Sequence, residues 1–179
     1  DNNKYVMKIV SPDIQHKTDV GGVKLNIGNI DNAIKSYEEI HLNIKNNAPN
    51  AVIDGVMISP MVKGGIECIL GAKIDPVFGP IVMFGLGGIY AEVMKDIAFA
   101  EAPISHKKAE KMILSLKGKD LFYGARGQSS IDIEALKEII VNLSNFIAAN
   151  SNQIDQVEMN PVLVSDKQVI ALDALIVTK

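Results

Sequence analysis

The chain has 179 residues, 47% hydrophobic and 22% charged, with a formal net charge of −3. That balance excludes intrinsic disorder and collagen-like structure and leaves enough chain to bury a sizeable core in one domain or two small lobes. Its 18 basic residues are scattered in ones and twos, and its one long apolar stretch, Ile81 to Val93, is short and broken by glycines, so neither a nucleic-acid partner nor a membrane span is expected. A single cysteine, Cys68, cannot form an internal disulfide, and no signal peptide opens the chain, which points to a reducing, cytoplasmic setting. Position 1 is not methionine and strand-like sequence starts within five residues, as expected of a piece of a longer polypeptide.

Tyr5 to Val10 alternates with period two and reads as a strand stopped by Ser11-Pro12-Asp13. A polar loop with His16 follows, and Gly21-Gly22 opens a second strand, Val23 to Ile27. Asp31 is the expected N-cap of a helix to about Lys45, with Ile34, Tyr37, Ile40 and Ile44 at helical spacing. Gly55 to Val62 and Ile66 to Ile74 read as strands, separated at Lys63-Gly64-Gly65, the expected boundary between an N-terminal lobe, 1–63, and a C-terminal lobe, 64–179. Residues 75–80 form a turn or loop, and Ile81 to Phe84 a short buried strand leading to Gly85-Leu86-Gly87-Gly88. Ser105 caps a helix with Ala109, Met112, Ile113 and Leu116 inward. Asp132 caps a longer one with Leu136, Ile139, Ile140, Leu143, Phe146 and Ile147 inward. Two strands, Val157 to Val164 and Val169 to Val177, close the chain. Short turns between strands, with the helices in separate blocks, predict an α+β fold with largely antiparallel sheets.

A symmetric four-residue turn at 165–168 pairs Val164 with Val169, Val162 with Ala171 and Asn160 with Asp173, and Glu158 shares the face of that last pair. Opposed side chains have Cβ atoms about 4.5–5.5 Å apart, close enough for amide and carboxylate oxygens to share one hard cation such as Mg²⁺. A plain hydrogen bond between Asn160 and Asp173 is the alternative. Lys8 sits mid-strand between Val6 and Val10, where it needs an anion, for instance a nucleotide phosphate, or a solvent-facing surface. His16 is either an exposed loop residue, a nucleophile that accepts a phosphoryl group, or an acid/base group. His41 and His106 read as structural or solvated. The glycines at 85–88 fit neither the dinucleotide-binding nor the P-loop pattern, and indicate a turn whose backbone closely approaches a ligand or a neighbouring element. Glu67 points away from Ile66 and Cys68, and Cys68 reads as a small core residue. Arg126, in Gly124-Ala125-Arg126-Gly127, is either a surface cation or an anion contact.

Taken in order, these residues resemble the ATP-grasp domain of the NDP-forming acyl-CoA synthetases, in the beta-subunit-like portion of ADP-forming acetate–CoA ligases. The run Lys8-Ile9-Val10-Ser11-Pro12-Asp13-Ile14-Gln15-His16-Lys17-Thr18-Asp19-Val20-Gly21-Gly22-Val23 carries the resemblance most specifically, and Glu67, Asp75-Pro76-Val77-Phe78-Gly79-Pro80, Gly85 to Ile89, Glu92, Asp96, Pro103, Gly124 to Gly127, Asn160-Pro161 and Ala171-Leu172-Asp173 continue it along nearly the whole chain. The resemblance implies an ATP-grasp fold of two α+β lobes with the N-terminal lobe partial. It also implies the reversible conversion of acyl-CoA, ADP and phosphate to acid, CoA and ATP through phosphohistidine. By the same resemblance His16 is the phosphoryl-carrying histidine and Lys8 a nucleotide-phosphate lysine. Met61 and Val62 lie on the interlobe strand that reads adenine, Glu67 contacts the nucleotide, and Asn160 and Asp173 ligate Mg²⁺. The implied cofactors are ATP/ADP and Mg²⁺, and the implied partner is a CoA-binding/ligase portion on a separate subunit or the same longer chain, with oligomeric state left open. A regulatory ATP-grasp domain fused to an acetyltransferase, and a subunit of a succinate/malate–CoA ligase, are the alternatives.

Overall fold

The computed structural model describes residues 3–88, 95–124 and 129–179, and the chain divides into two compact units, Asp1–Lys63 and Gly64–Lys179. The expectations attached to Ile89, Glu92, Val93 and Arg126 lie outside the described residues.

The first unit is a three-stranded antiparallel sheet of order β2-β1-β3, with β1 at Tyr5–Val10, β2 at Val23–Ile27 and β3 at Gly55–Pro60, and one helix, α1, at Ile30–Asn47. Strand β1 is central, and pleating sends Met7 and Ile9 into a core with Ile14, Ile27, Ile40 and Ile44. Helix α1 is capped by Asn29, whose side chain accepts from the Asn32 amide at 2.8 Å, and not by Asp31, which lies in the first turn. Its buried stripe is also narrower than expected. Ile40 and Ile44 are buried, whereas Ile34 and Tyr37 are 56% and 48% exposed, and Tyr37 packs against His41 with ring centroids 4.3 Å apart. Strand β3 ends at Pro60, so Met61 and Val62 lie just past it, not in it; the Met61 amide still donates to the Lys4 carbonyl at 2.8 Å. Proline is tolerated here because β3 is an edge strand.

The second unit is a sheet of order β6-β5-β4-β7-β8, with β9 also paired to β7, and all its pairings are antiparallel. Its strands are β4 (Ile66–Asp75), β5 (Gly79–Leu86), β6 (Ile97–Glu101), β7 (Ile154–Val164), β8 (Val169–Ala171) and β9 (Ala174–Thr178). Helices α2 (His106–Ser115) and α3 (Ile133–Ala149) supply Ala109, Met112, Ile113, Leu136, Ile140, Leu143 and Ile147 to one core with Cys68, Leu70, Val82, Phe84, Val157, Val162 and Val164 of the sheet. Ser105 and Asp132 cap these helices as expected. On α3, Val141 is buried and Phe146 is 41% exposed, the reverse of the expectation for Phe146. Strand β6, which carries Ala98-Phe99-Ala100-Glu101, has no counterpart in the sequence reading. The turn at 75–79 is a tight hairpin, with Asp75 Oδ1 accepting from the Val77 and Phe78 amides at 2.9 and 3.1 Å.

Two buried polar groups tie the loops to this core. Ser144 accepts from the Ile104 amide and donates to the Val141 carbonyl, and Asp96 accepts from the Lys117 and Gly118 amides, both at 2.8 Å. A buried oxygen without such partners would cost about 1–3 kcal/mol.

Candidate functional site

In the first unit, Lys8 projects from the face of β1 opposite Met7 and Ile9, paired in register with Val23 and Met57, and is only 9% exposed. A lysine is seldom this buried without a charged or hydrogen-bonding counterpart.

His16 is exposed in the loop joining β1 to β2. The limb before it is pinned by Ile14, 6% exposed in the core, and by Asp13, whose Oδ2 accepts from the Val52 amide at 2.7 Å. The limb after it is a turn in which the Gly22 amide donates to the Lys17 carbonyl at 2.8 Å and the Gly21 amide to the Thr18 carbonyl at 3.0 Å. Two side chains of α1 reach this turn: Asn43 Nδ2 donates to the Gly21 carbonyl at 3.0 Å and Asn47 Nδ2 to the Val20 carbonyl at 3.2 Å. Gly21 has φ +72, and a Cβ there would lie 2.6 Å from Asn43 Nδ2, so glycine is required on both counts. The two limbs are held unequally. Burying a side chain such as Ile14 contributes about 1.5–3 kcal/mol, and a neutral hydrogen bond about 0.5–1.5 kcal/mol.

In the second unit, Glu67 alternates with the buried Cys68 and so lies on the face of the sheet opposite α2 and α3. The glycine loop after β5 presses on it: the Gly87 amide donates to the Glu67 carbonyl at 2.7 Å, and a Cβ at Gly87 would lie 2.9 Å from the Glu67 carbonyl carbon. The close approach read from the glycines is therefore to β4.

Asn160 and Asp173 are brought together. The Asn160 amide donates to the Asp173 carbonyl at 3.2 Å, between Val162↔Ala171 on one side and Met159↔Ala174 on the other. The second closing strand is interrupted at Leu172 and Asp173, but the register runs through the interruption unchanged. On the other side of β7, Cys68↔Val162 is followed by Leu70↔Met159, so one extra residue is accommodated at Asn160-Pro161. A bulge is where a strand interior tolerates proline, and bulges commonly re-aim side chains beside active sites. Glu158, which the sequence placed on this face without a role, takes a hydrogen bond from Asn160 Nδ2 at 3.2 Å. The amide oxygen of Asn160 and the Asp173 carboxylate, whose Oδ1 also accepts from the Ala174 amide at 3.0 Å, are the side-chain oxygens the pair brings to this point. Two such donors fit Mg²⁺, which takes one or two protein ligands and completes its shell with water and phosphate oxygens. Among the described residues there is no cluster of three or more His, Cys, Asp or Glu side chains able to hold a metal unaided.

The model of the ATP-grasp domain matches residues 2–178. The chain belongs to the ATP-grasp family. Curated relatives of this ATP-grasp chain include the ADP-forming acetate–CoA ligase I of Archaeoglobus fulgidus, 41% identical over 94% of this chain and 24% of that protein. They also include the beta subunit of the ADP-forming acetate–CoA ligase I of Pyrococcus furiosus, 44% identical over 94% of this chain and 72% of the subunit. The chain thus spans about a quarter of the first of these and nearly three quarters of the second. Among solved structures, the dinucleotide-forming acetyl-coenzyme A synthetase 1 of Ca. Korarchaeum cryptofilum, with coenzyme A and Ca-AMPCP, superposes with a TM-score of 0.92 at 41% identity, covering 98% of this chain and 76% of that one. In a complex of that protein with coenzyme A and Mg-AMPPCP, the phosphohistidine segment points towards the nucleotide site; in another, phosphorylated, it takes the site I orientation. As an ATP-grasp domain, the chain is a nucleotide-binding one. No helix among the described residues is long and apolar enough to cross a membrane.

Proposed function

We propose that this chain is the nucleotide-binding, phosphohistidine-carrying part of a cytoplasmic ADP-forming acetate or acyl-CoA ligase, with 1–63 as a partial N-terminal ATP-grasp lobe and 64–179 as the C-terminal lobe. The observation that carries the reading is the 44% identity over 72% of a beta subunit of an acetate–CoA ligase. An exposed histidine on a tethered loop is what a carrier role needs.

In this reading a phosphoryl group reaches His16 from a CoA-binding/ligase portion, forming an N–P bond at a ring nitrogen. It leaves when that bond breaks, its electron pair returning to the ring, while an oxygen of the ADP β-phosphate forms the new P–O bond of ATP. Lys8 holds a phosphate by charge-assisted hydrogen bonds, Glu67 contacts the nucleotide, and the backbone of Met61 and Val62 meets the adenine. Asn160 and Asp173 hold Mg²⁺, which supplies charge neutralisation at the phosphates.

Full-length protein supplied with acetate, CoA, ATP and Mg²⁺ should release ADP and thioester one for one, and Asp173→Asn should abolish both. ADP release that ignores CoA would refute the ligase reading.

A further inference from the structure

The loop carrying His16 is fastened by contacts of two different kinds on its two sides. With both fastenings in place, His16 has almost no travel, because its Cα lies about 3.8 Å from that of Lys17 and at most about 7 Å from that of Ile14. Lys17 is the first residue of the turn closed by Gly22, and Ile14 is buried in the core. A phosphoryl carrier has to serve a donor and an acceptor, so one fastening must open. Ile14 can leave only by exposing a buried side chain to water, whereas the turn at 17–22 touches that core only through the partly buried Val20 and is held to α1 by two side-chain amides, one of them, Asn47, on the exposed surface.

Resting on the carrier role given above to His16, we infer that Asn43 and Asn47 are positioning residues that latch the C-terminal limb of the His16 loop, and that the loop opens there while the limb at Asp13 and Ile14 stays docked. The two asparagines lie one helical turn apart on α1, so both amides face the loop. Their acceptors are the carbonyls of consecutive residues, Val20 and Gly21, so the pair grips two successive peptide units of the turn. Gly21 permits Asn43 to come this close. Gly22 is joined to β1 through the Ile9 amide, which donates to its carbonyl at 2.8 Å, and marks where the moving limb ends.

Asn47→Asp and Asn43→Asp preserve side-chain shape, remove the donor and set a carboxylate against the carbonyl that the amide had held. In full-length protein each should speed hydrogen exchange at the Gly21 and Gly22 amides about tenfold, equivalent to about 1.4 kcal/mol, and leave the Val52 amide, bonded to Asp13, unchanged. Phosphoryl loading of His16 and its discharge to ADP should then change unequally, because the latch favours one orientation. Unchanged exchange at Gly21 and Gly22, or equal acceleration at Val52, would overturn the latch, as would equal loss of both phosphoryl steps. Because Asn47 is exposed, its variant keeps the test open should Asn43→Asp fold poorly. Should His16 carry no label in the wild type, the carrier reading fails, while the exchange result still reports on the latch.

Discussion

Asn160 and Asp173 are joined backbone to backbone, amide to carbonyl at 3.2 Å, at a point where β7 carries an extra residue toward β4 and its other partner strand is interrupted. One irregular position therefore serves both neighbours of β7. It is also where Asn160 turns its amide nitrogen to Glu158.

Glu158 should accordingly act through Asn160. Glu158→Ala, which removes the acceptor, should raise the Mg²⁺ concentration for half-maximal activity about 10–100-fold, the usual effect of losing a ligand-orienting partner. The maximal rate at saturating Mg²⁺ should change less. A Mg²⁺ titration of activity in wild type and variant measures this, and an unchanged midpoint would separate Glu158 from the metal.

Lys8→Met keeps the apolar stem and removes the charge. Nucleotide affinity, read by calorimetry, should fall about 10–100-fold, as expected for loss of a charge-assisted hydrogen bond worth about 1.5–3 kcal/mol.

Gly87→Ala places a methyl 2.9 Å from the backbone of Glu67, which cannot yield as a side-chain tip would. We expect a loss of about 1–3 kcal/mol in denaturant unfolding, together with weaker nucleotide binding. Gly28→Ala, with open space around its Cβ, should stay within about 0.5 kcal/mol of wild type.

Burial pushes the Cys68 thiol from its ordinary 9.0 up to about 12, with the Glu67 carboxylate adding to the shift. The folded protein should resist thiol reagents at pH 8 and react only on unfolding. The thiol ionises earlier in the unfolded chain, so its contribution to stability is complete below about pH 9 and declines as pH rises toward about 12. Cys68→Ala should flatten that alkaline decline.

The closing hairpin was legible because a four-residue turn and strict alternation leave one register, and Asn160 opposite Asp173 follows from it. Ser105 and Asp132 were legible as caps because each precedes a clear apolar period. Asn29 was missed because Asp31, two residues later, has equal capping chemistry and the choice depends on where the chain leaves β2. Ile34, Tyr37 and Phe146 have the right spacing for burial, but each helix covers a small area of sheet and their positions fall beyond it. Strand β6 contains two alanines and adjoins a glycine-rich region, so its strand character comes from pairing with β5. Asn43 and Asn47 look like ordinary helix-surface amides until the loop carbonyls they hold are seen.

The central claim is that His16 carries a phosphoryl group. Full-length protein incubated with radiolabelled phosphate, acetyl-CoA and Mg²⁺ should yield acid-labile label on a peptide containing His16, and His16→Ala should lose both that label and ATP formation from ADP. ATP synthesis that survives His16→Ala would contradict the account and reduce the domain to nucleotide binding.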